Sequence, residues 1–560
     1  MRRGILAPVV AVVAAVLLAA CAGMPTSGSV QQGLAPDTSD DGFAVAFRPS
    51  SPQPGASPEQ IIEGFVAAAT SPTDGWQVAR QFLTEQAAAQ WHPEAGVTVD
   101  DQAARELTQT APTAFLLSVE PVADVDEAGA YIETDSGSSR LPFEVARVDG
   151  EWRISKLDDG VVLDRGLFPR VFGAFSLMYF DPAWEYLVPD VRWFPARNRT
   201  TPARIVRALV DGEPSPWLSG AVVTAFPGDI GAPGAVTVSA DGVAQVEVPD
   251  AALGLNPEQL ARMQAQLERS LISAGITDVV MTVGSVEIEV EPAPTRTTLV
   301  DARFAVLTEE GFGYLAGDEL QPVPGISDGL VASGLQPTAI ELSPDLDFAA
   351  LQLDSGEVMR LNSDESYVSV DARDGLVMPT VDRYGYIWTV PATRPASVHA
   401  TAADGTVVEV ADAWNGASRI NAMQLSRDGT RIAALTDLGG QAEVWIAGVV
   451  RDQGVPVRLG QWMRLAVQPS PGVAVAWLDD VTLGIVRVVD GESMIFTQEV
   501  GGLAAATAVQ ATVTAIAGGN QLGSVRLLGD DGVLYSRTGS RWQQYTSGVL
   551  VLATQQGVPQ

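Results

Sequence analysis

The chain has 560 residues, with 68 acidic side chains against 34 basic ones and a formal net charge of −34. A surface of this sign repels nucleic acids and anionic headgroups, so the composition argues against binding to either. Cys21 is the only cysteine of the sequence, which excludes a disulfide within the chain and a thiolate metal cluster. The length is enough for three or four domains of about 150 residues each.

Residues 1–20 predict a signal peptide. Arg2 and Arg3 precede an apolar segment, 5–18, which is too short for a stable transmembrane helix of roughly 20 apolar residues. The tetrapeptide that ends at Cys21, Leu-Ala-Ala-Cys, resembles the bacterial lipobox, which implies an S-diacylglycerol on the Cys21 thiol and an acyl group on its new amino terminus. The mature protein would then begin at Cys21 on the extracytoplasmic face of the cell membrane. Ordinary secretory cleavage at the small residues around Cys21 is the alternative and would release a soluble protein.

Residues 21–56 predict a lipidated N-terminus followed by a flexible tether. The segment is rich in Gly, Pro, Ser, Gln and Asp, a composition that buries little apolar surface. Only 43–47, Phe-Ala-Val-Ala-Phe, is apolar enough to pack, and it could instead pair with a later sheet.

Residues 57–165 predict an α+β domain. Ser57 has the features of an N-cap, with proline next and a glutamine three residues on, and a second helix is expected from Trp76 to Trp91. Strand-like runs follow, with a two-residue hairpin turn at Asp149-Gly150. Helices followed by an antiparallel sheet resemble the cone-shaped fold of the nuclear transport factor superfamily. Three tryptophans are expected in the core rather than in a ligand pocket: Trp76, Trp91 and Trp152.

Residues 166–291 predict a second α+β domain. A turn is expected at Asp181-Pro182, and helices are expected after Thr201 and after the N-cap Asn256. The predicted strands are Ala221–Phe226, Val236–Val238, Val243–Val248 and Val279–Val290, with a turn at Asp241-Gly242.

The order of these elements, together with the segment from Arg204 to Pro227, resembles the GerMN domain of sporulation proteins and actinobacterial lipoproteins. With the lipobox and the flanking regions added, the whole chain resembles the LpqB family of actinobacterial lipoproteins. The strongest parts of this resemblance are the lipobox and a block in two runs. The first run is 186–195, Tyr-Leu-Val-Pro-Asp-Val-Arg-Trp-Phe-Pro, and the second is 208–227, Ala-Leu-Val-Asp-Gly-Glu-Pro-Ser-Pro-Trp-Leu-Ser-Gly-Ala-Val-Val-Thr-Ala-Phe-Pro.

Residues 300–560 predict an all-β propeller of about six blades. The segments 342–351 and 425–435 nearly repeat each other, and related turns occur at 381–388, 477–480 and 529–535. Spacings of about 40 to 50 residues match one four-stranded blade each. Two stacked β-sandwiches are the alternative. The expected fold class is therefore multi-domain, with a cone-like and a GerMN-like α+β domain followed by a propeller.

The sequence predicts no enzyme, no cofactor and no metal site. His92 and His399 fall in different predicted domains, and the common nucleophile, zinc and phosphate-loop motifs are absent from the sequence. Asp345 with Asp347, or Asp530 with Asp531, could bind calcium, although such residues in blade turns are more often structural.

The LpqB resemblance implies a partner, the extracellular domain of an MtrB-like sensor histidine kinase. The protein would act as an accessory regulator of the MtrA–MtrB two-component system in envelope homeostasis and division. One alternative is a peptidoglycan- or glycan-binding envelope protein in contact with the cell wall. A second is an envelope hydrolase with a carboxylate pair, which needs no sequence motif.

Overall fold

A computed structural model describes residues 49–559 except 135–136, 197, 318, 469–471, 490–491 and 540. The predicted signal peptide, Cys21 and the apolar segment 43–47 lie outside the described residues. Within these, no helix combines the length and the apolar character needed to cross a membrane.

The first domain packs three helices against two four-stranded sheets. Ser57 caps the first helix reciprocally, because its Oγ accepts from the Gln60 N–H at 3.3 Å and its own N–H donates to the Gln60 side chain at 2.9 Å. The sheets have the strand orders β5-β4-β1-β8 and β2-β3-β6-β7. The helices are α1 (Pro58–Ala68), α2 (Gln77–Arg80) and α3 (Glu85–Gln90), and the strands are β1 (Gly96–Asp100), β2 (Glu106–Ala111), β3 (Ala114–Val119), β4 (Pro121–Asp126), β5 (Tyr131–Glu133), β6 (Ser139–Val148), β7 (Glu151–Lys156) and β8 (Val161–Asp164).

The predicted helix from Trp76 to Trp91 is wrong as a single element. It is divided into α2 and α3 by Leu83, which forms a parallel bridge with Ile154 of β7. Thr84 then starts α3 as its N-cap, accepting from the Ala87 N–H at 3.2 Å. By contrast, the hairpin turn at Asp149-Gly150 is confirmed, with both φ angles positive, 53° and 88°.

The second domain combines a long two-stranded ribbon, a four-stranded sheet and two main helices. The ribbon pairs β9 with β10 in antiparallel register, and the sheet has the order β11-β12-β13-β14. Asn256 caps the longest helix, accepting from the Gln259 N–H at 2.8 Å. The helices are α4 (Phe168–Val171), α5 (Thr201–Val210) and α6 (Pro257–Leu271), and the strands are β9 (Phe172–Phe180), β10 (Leu187–Pro195), β11 (Val236–Val238), β12 (Val243–Glu247), β13 (Asp278–Val283) and β14 (Val286–Glu287).

Two strand predictions for this domain are wrong. The segment 221–226 forms only one bridge, Val223 with Phe180, and its Ala225 N–H donates to the Gln266 side chain at 2.7 Å instead of to a neighbouring strand. The run 279–290 is a hairpin of β13 and β14, because Gly284 turns the chain with a φ of 57°.

The described part of the propeller contains six sheets. One helix, α7 (Ile326–Ser333), connects the first sheet to the second. The strands are β15 (Phe304–Thr308), β16 (Gly311–Ala316), β17 (Glu319–Gln321), β18 (Pro337–Leu342), β19 (Phe348–Leu353), β20 (Val358–Asn362), β21 (Tyr367–Asp371), β22 (Thr380–Val381), β23 (Ile387–Thr389), β24 (His399–Thr401), β25 (Val407–Glu409), β26 (Arg419–Leu425), β27 (Arg431–Leu438), β28 (Gln441–Asp452), β29 (Val455–Leu459), β30 (Met463–Gln468), β31 (Gly472–Trp477), β32 (Thr482–Val489), β33 (Glu492–Glu499), β34 (Ala504–Val509), β35 (Val513–Ala517), β36 (Arg526–Gly529), β37 (Leu534–Thr538), β38 (Arg541–Thr546), β39 (Val549–Leu552) and β40 (Thr554–Gln555).

The six sheets close into a ring through their innermost strands. The innermost strands of blades 1 to 6 are, in this order, β39, β18, β22, β26, β31 and β35. Each of them contacts the next, and β35 contacts β39 again. β39 is contributed from late in the chain to the sheet of β15, β16 and β17, and β40 then pairs in parallel with β18. Blade 1 is thus built from both ends of the propeller sequence.

The near-repeats in the sequence correspond to the turn between the first and second strands of a blade. In blades 2 to 5 a backbone hydrogen bond closes this turn, as in Ser343 N–H to Phe348 O at 3.0 Å and Ser426 N–H to Arg431 O at 2.8 Å. The prediction that 529–535 is a turn related to these is wrong. This segment connects the second and third strands of blade 6, β36 and β37.

A buried glutamate occupies the axis of the ring. Glu341 on β18 is fully buried and accepts hydrogen bonds from blade 3, blade 4 and the segment after β39. Its donors are Thr380 Oγ1 (2.9 Å), Val381 N (3.1 Å), Gln424 Nε2 (3.3 Å), Thr554 Oγ1 (2.9 Å) and Gln556 Nε2 (2.5 Å). Burial raises the pKa of Glu341.

Candidate functional site

The strand β10 is buried on both sides between two domains. From Val188 to Pro195 every residue is buried, and the side chains divide between two cores. Val188 and Phe194 belong to the core of the second domain, whereas Val191 and Trp193 belong to the core of the first. A strand covered on both faces has a nearly continuous apolar sequence, which accounts for the 186–195 block.

An ion pair interrupts this apolar strand. Arg192 Nη2 donates to Asp190 Oδ2 at 2.8 Å, with side-chain exposures of 6% and 2%. Asp190 also accepts from the N–H and hydroxyl of Ser215, at 2.8 Å and 2.7 Å. Burial alone would lower the pKa of Arg192, but the Asp190 carboxylate outweighs it and raises that pKa. The pair therefore joins β10 to the 213–217 segment, which lies within the second run of the block found in the sequence.

Beside this ion pair lies a cleft of about 420 Å³ where the three domains meet. The first domain contributes the end of β4 and β5, the second contributes β10 and 213–217, and the propeller contributes 461–463 and 500–501. The residues most important for its chemistry are Asp126, Tyr131, Arg192, Glu213, Trp217 and Trp462.

The aromatic walls of the cleft are held in place by their neighbours. Trp462 stacks on Trp445 with ring centroids 3.8 Å apart and planes 2° apart, and its indole N–H donates to Asn415 O at 3.2 Å. Tyr131 packs near Phe168, with centroids 6.0 Å apart. The cleft thus presents fixed rings, with the carboxylates of Asp126 and Glu213 exposed at its rim.

The propeller docks on the second domain through glycines. A Cβ on Gly448 would lie 2.7 Å from Ala221 Cβ and 2.8 Å from Trp217 O, so only glycine permits this approach. Gly448 lies in β28, whose second half extends with β29 as a hairpin beyond blade 4. Apolar side chains of blades 4 and 5 continue the core of the second domain.

Charged contacts reinforce this docking. Arg383 of blade 3 donates to Asp181 Oδ2 at 2.5 Å and also contacts Glu185. Asp181 belongs to the predicted Asp181-Pro182 turn, and its carboxylate also accepts the Glu185 and Tyr186 N–H groups at 2.8 Å and 2.6 Å. A neutral hydrogen bond also joins β10 to the propeller, since Trp193 Nε1 donates to Gly501 O at 2.7 Å.

The candidate residues from the sequence lie away from the cleft. His92 is exposed near Asp159, with Nδ1 3.5 Å from Oδ2, and His399 begins β24. Asp347 accepts from Ser343 Oγ at 2.5 Å and Asp531 from Val533 N at 3.0 Å, so both serve turns. Among the residues for which coordinates are described, no group of three or more candidate metal ligands occurs.

The tryptophan predictions are mostly confirmed. Trp76 and Trp91 are 1% and 3% exposed and lie in the core of the first domain, whereas Trp152 is only partly buried and lies under Arg147. A second cavity of about 270 Å³ lies between α1 and the sheets of this domain. No sequence pattern predicts the cleft, because its residues come from five separate segments of the chain. The charged pair within the apolar 186–195 block is the one local signal that marks it.

Two family models match this chain. A family model described as "Lipoprotein LpqB, N-terminal domain" matches residues 51–169, and one described as "Lipoprotein LpqB beta-propeller domain" matches residues 310–551. Together they cover more than half of the chain. The GerMN-like prediction falls between them and stays a prediction.

Related proteins extend the match over the full length. Lipoprotein LpqB of Cutibacterium acnes is 27% identical and covers 96% of this chain and 97% of its own. The Streptomyces avermitilis protein of the same name is 25% identical, with 95% of each chain covered. That of Bifidobacterium longum is 35% identical over 39% of this chain and 40% of its own. The chain therefore belongs to the LpqB family of envelope lipoproteins.

Proposed function

We propose that this protein is anchored through acylated Cys21 on the extracytoplasmic face of the membrane and regulates a sensor histidine kinase there. The kinase would be of the MtrB type, acting with an MtrA-type response regulator in envelope homeostasis and division. The role is binding rather than catalysis. Family membership supports the envelope location, and the cleft offers a surface for a protein partner.

The observation that carries this proposal is the interlocking of the three domains. β10 contributes to two cores, Gly448 admits the second domain into direct contact with blade 4, and Arg383 joins blade 3 to Asp181. Interfaces of this kind keep the domains at fixed positions, so a partner bound at their junction meets one rigid surface. A rigid binder shifts a kinase between two states if it binds one of them more tightly.

Anchoring adds a second effect. A lipid anchor confines the protein to the membrane surface where the extracellular part of a sensor lies, which raises the effective concentration of each for the other. A modest intrinsic affinity is then enough for regulation.

The experiment that tests the proposal is site-specific photocrosslinking in intact cells. A photoreactive amino acid replaces Gln461, which is exposed at the cleft, and in a matched control it replaces Glu63, which is exposed on α1 outside the cleft. We expect a sensor kinase to be crosslinked from position 461 and not from position 63. Recovery of no sensor kinase from either position would overturn the proposal.

The two alternatives give different results in parallel assays. A glycan-binding protein would sediment with isolated cell wall and would not bind the purified sensor ectodomain. A hydrolase would turn over envelope glycans or peptides, and a single Asp or Glu substitution would abolish that turnover.

A further inference from the structure

The cleft at the junction of the three domains combines acidic rim residues with a fixed indole ring. We propose that it binds an arginine side chain presented by a partner protein. The inference rests on the proposed function for the identity of that partner, but the chemistry of the cleft argues for the arginine independently.

The cleft carries more negative than positive charge. Asp126, Asp190 and Glu213 line the cleft with a single arginine, Arg192. Arg192 is already paired with Asp190, so the exposed carboxylates of Asp126 and Glu213 leave the cleft with a net negative charge. Neither of the two forms an ion pair with another residue that the structure describes. The whole chain carries −34, which steers a cationic segment toward it.

The indole ring of Trp462 offers a surface on which a guanidinium group can stack. One face of Trp462 is covered by Trp445, and the ring itself is only partly buried and lines the cleft. Guanidinium groups stack on tryptophan more favourably than on other aromatic rings. Two apolar residues that also line the cleft, Val191 and Val500, would contact the aliphatic stem of the arginine.

The test uses the full mature chain in detergent, labelled with 5-fluorotryptophan. The Trp462 fluorine resonance is assigned by its loss in Trp462→Phe. The probe is the peptide acetyl-Gly-Arg-Gly-amide, and its control is the same peptide with citrulline, which has the shape of arginine without the charge.

We expect the arginine peptide to shift the Trp462 resonance and the citrulline peptide to leave it unchanged. The double variant Asp126→Asn/Glu213→Gln should weaken the peptide about three- to tenfold, as expected for two partly exposed ion pairs. Added salt should weaken it as well. Glu63→Gln, an exposed carboxylate on α1, should bind the peptide like the parent chain.

Equal shifts with both peptides, no shift with either, or unchanged affinity in the double variant would overturn the inference. A shift of Trp462 by a chitin oligosaccharide in place of the arginine peptide would overturn it in favour of a glycan site. A sensor crosslinked from position 461 without arginine binding would overturn this inference and leave the proposed function intact. Arginine binding without a crosslinked sensor would support this inference and overturn the proposed function.

Discussion

Replacing Glu341 with alanine and with glutamine should show how much its hydrogen bonds stabilise the axis of the propeller. Its carboxylate accepts five hydrogen bonds and has no exposed surface. Glu341→Ala removes every acceptor at once. The hydroxyls of Thr380 and Thr554 can rotate to other partners, but the Val381 N–H is fixed and would remain buried without an acceptor.

The expected loss for Glu341→Ala is about 3–5 kcal/mol, from unpaired buried donors together with the cavity left behind. Glu341→Gln should lose only about 1–2 kcal/mol. The glutamine keeps one oxygen for Thr380, Val381 and Gln556, and the amide of Gln424 can rotate to accept from the new NH₂ group.

Guanidinium unfolding of the mature chain in detergent, followed by near-ultraviolet circular dichroism, measures both losses. Glu409→Ala, an exposed glutamate on β25, is the control and should change the stability by less than about 0.5 kcal/mol. If Glu341→Ala were as stable as Glu341→Gln, the carboxylate would not hold the blades together and the reasoning would be refuted.

Three further predictions concern docking, pH and anchoring. Gly448→Ala should lower the melting temperature and speed proteolysis at 213–221, because the added Cβ would lie 2.8 Å from the Trp217 carbonyl oxygen. The control Gly228→Ala should change neither, because a Cβ there has nothing within 4 Å. Equal melting temperatures and proteolysis rates for the two variants would contradict the docking of the propeller on the second domain. Burial, with a smaller effect of the Asp479 charge, raises the pKa of Glu499 from 4.5 to about 7. Between these pH values the folded chain holds a proton that the unfolded chain releases, so the stability falls as the pH rises. Glu499→Gln should flatten the decline by up to about 3 kcal/mol in melting experiments across that range, and an identical pH profile would refute the assignment. Cys21→Ser should leave an uncleaved precursor or release the protein into the medium, as shown by cell fractionation, and a processed form retained in the membrane would exclude lipid anchoring.

Local signals predicted local structure well in this chain. The N-caps Ser57 and Asn256 and the hairpin turn at Asp149-Gly150 each depend on a few neighbouring residues, and the structure has all three. The blade period was readable for the same reason, since each blade begins with a similar turn. Where a distant segment intervened, prediction failed: Leu83 pairs with Ile154, and Gln266 takes the N–H of Ala225.

Local signals of this kind do not predict the residues of the cleft. Trp462 and Asp126 are more than 300 residues apart and line the same cleft only because the three domains pack against one another. The five donors to Glu341 likewise come from blades 3 and 4 and from the segment after β39, so no spacing in the sequence predicts them. Residues that come together from separate domains can be recognised as one site only in the tertiary structure.

The closure of blade 1 by β39 also governs the order in which the molecule can form. β39 pairs with β15, and Thr554 bonds to Glu341 across 213 residues of sequence. Contacts this distant form slowly, because a long loop must close first. Until residue 552 is available, the inner edge of β15 has no partner, and an unpaired strand edge is a site of aggregation. The ring therefore has a vulnerable period during synthesis that ends only when its last strands are in place.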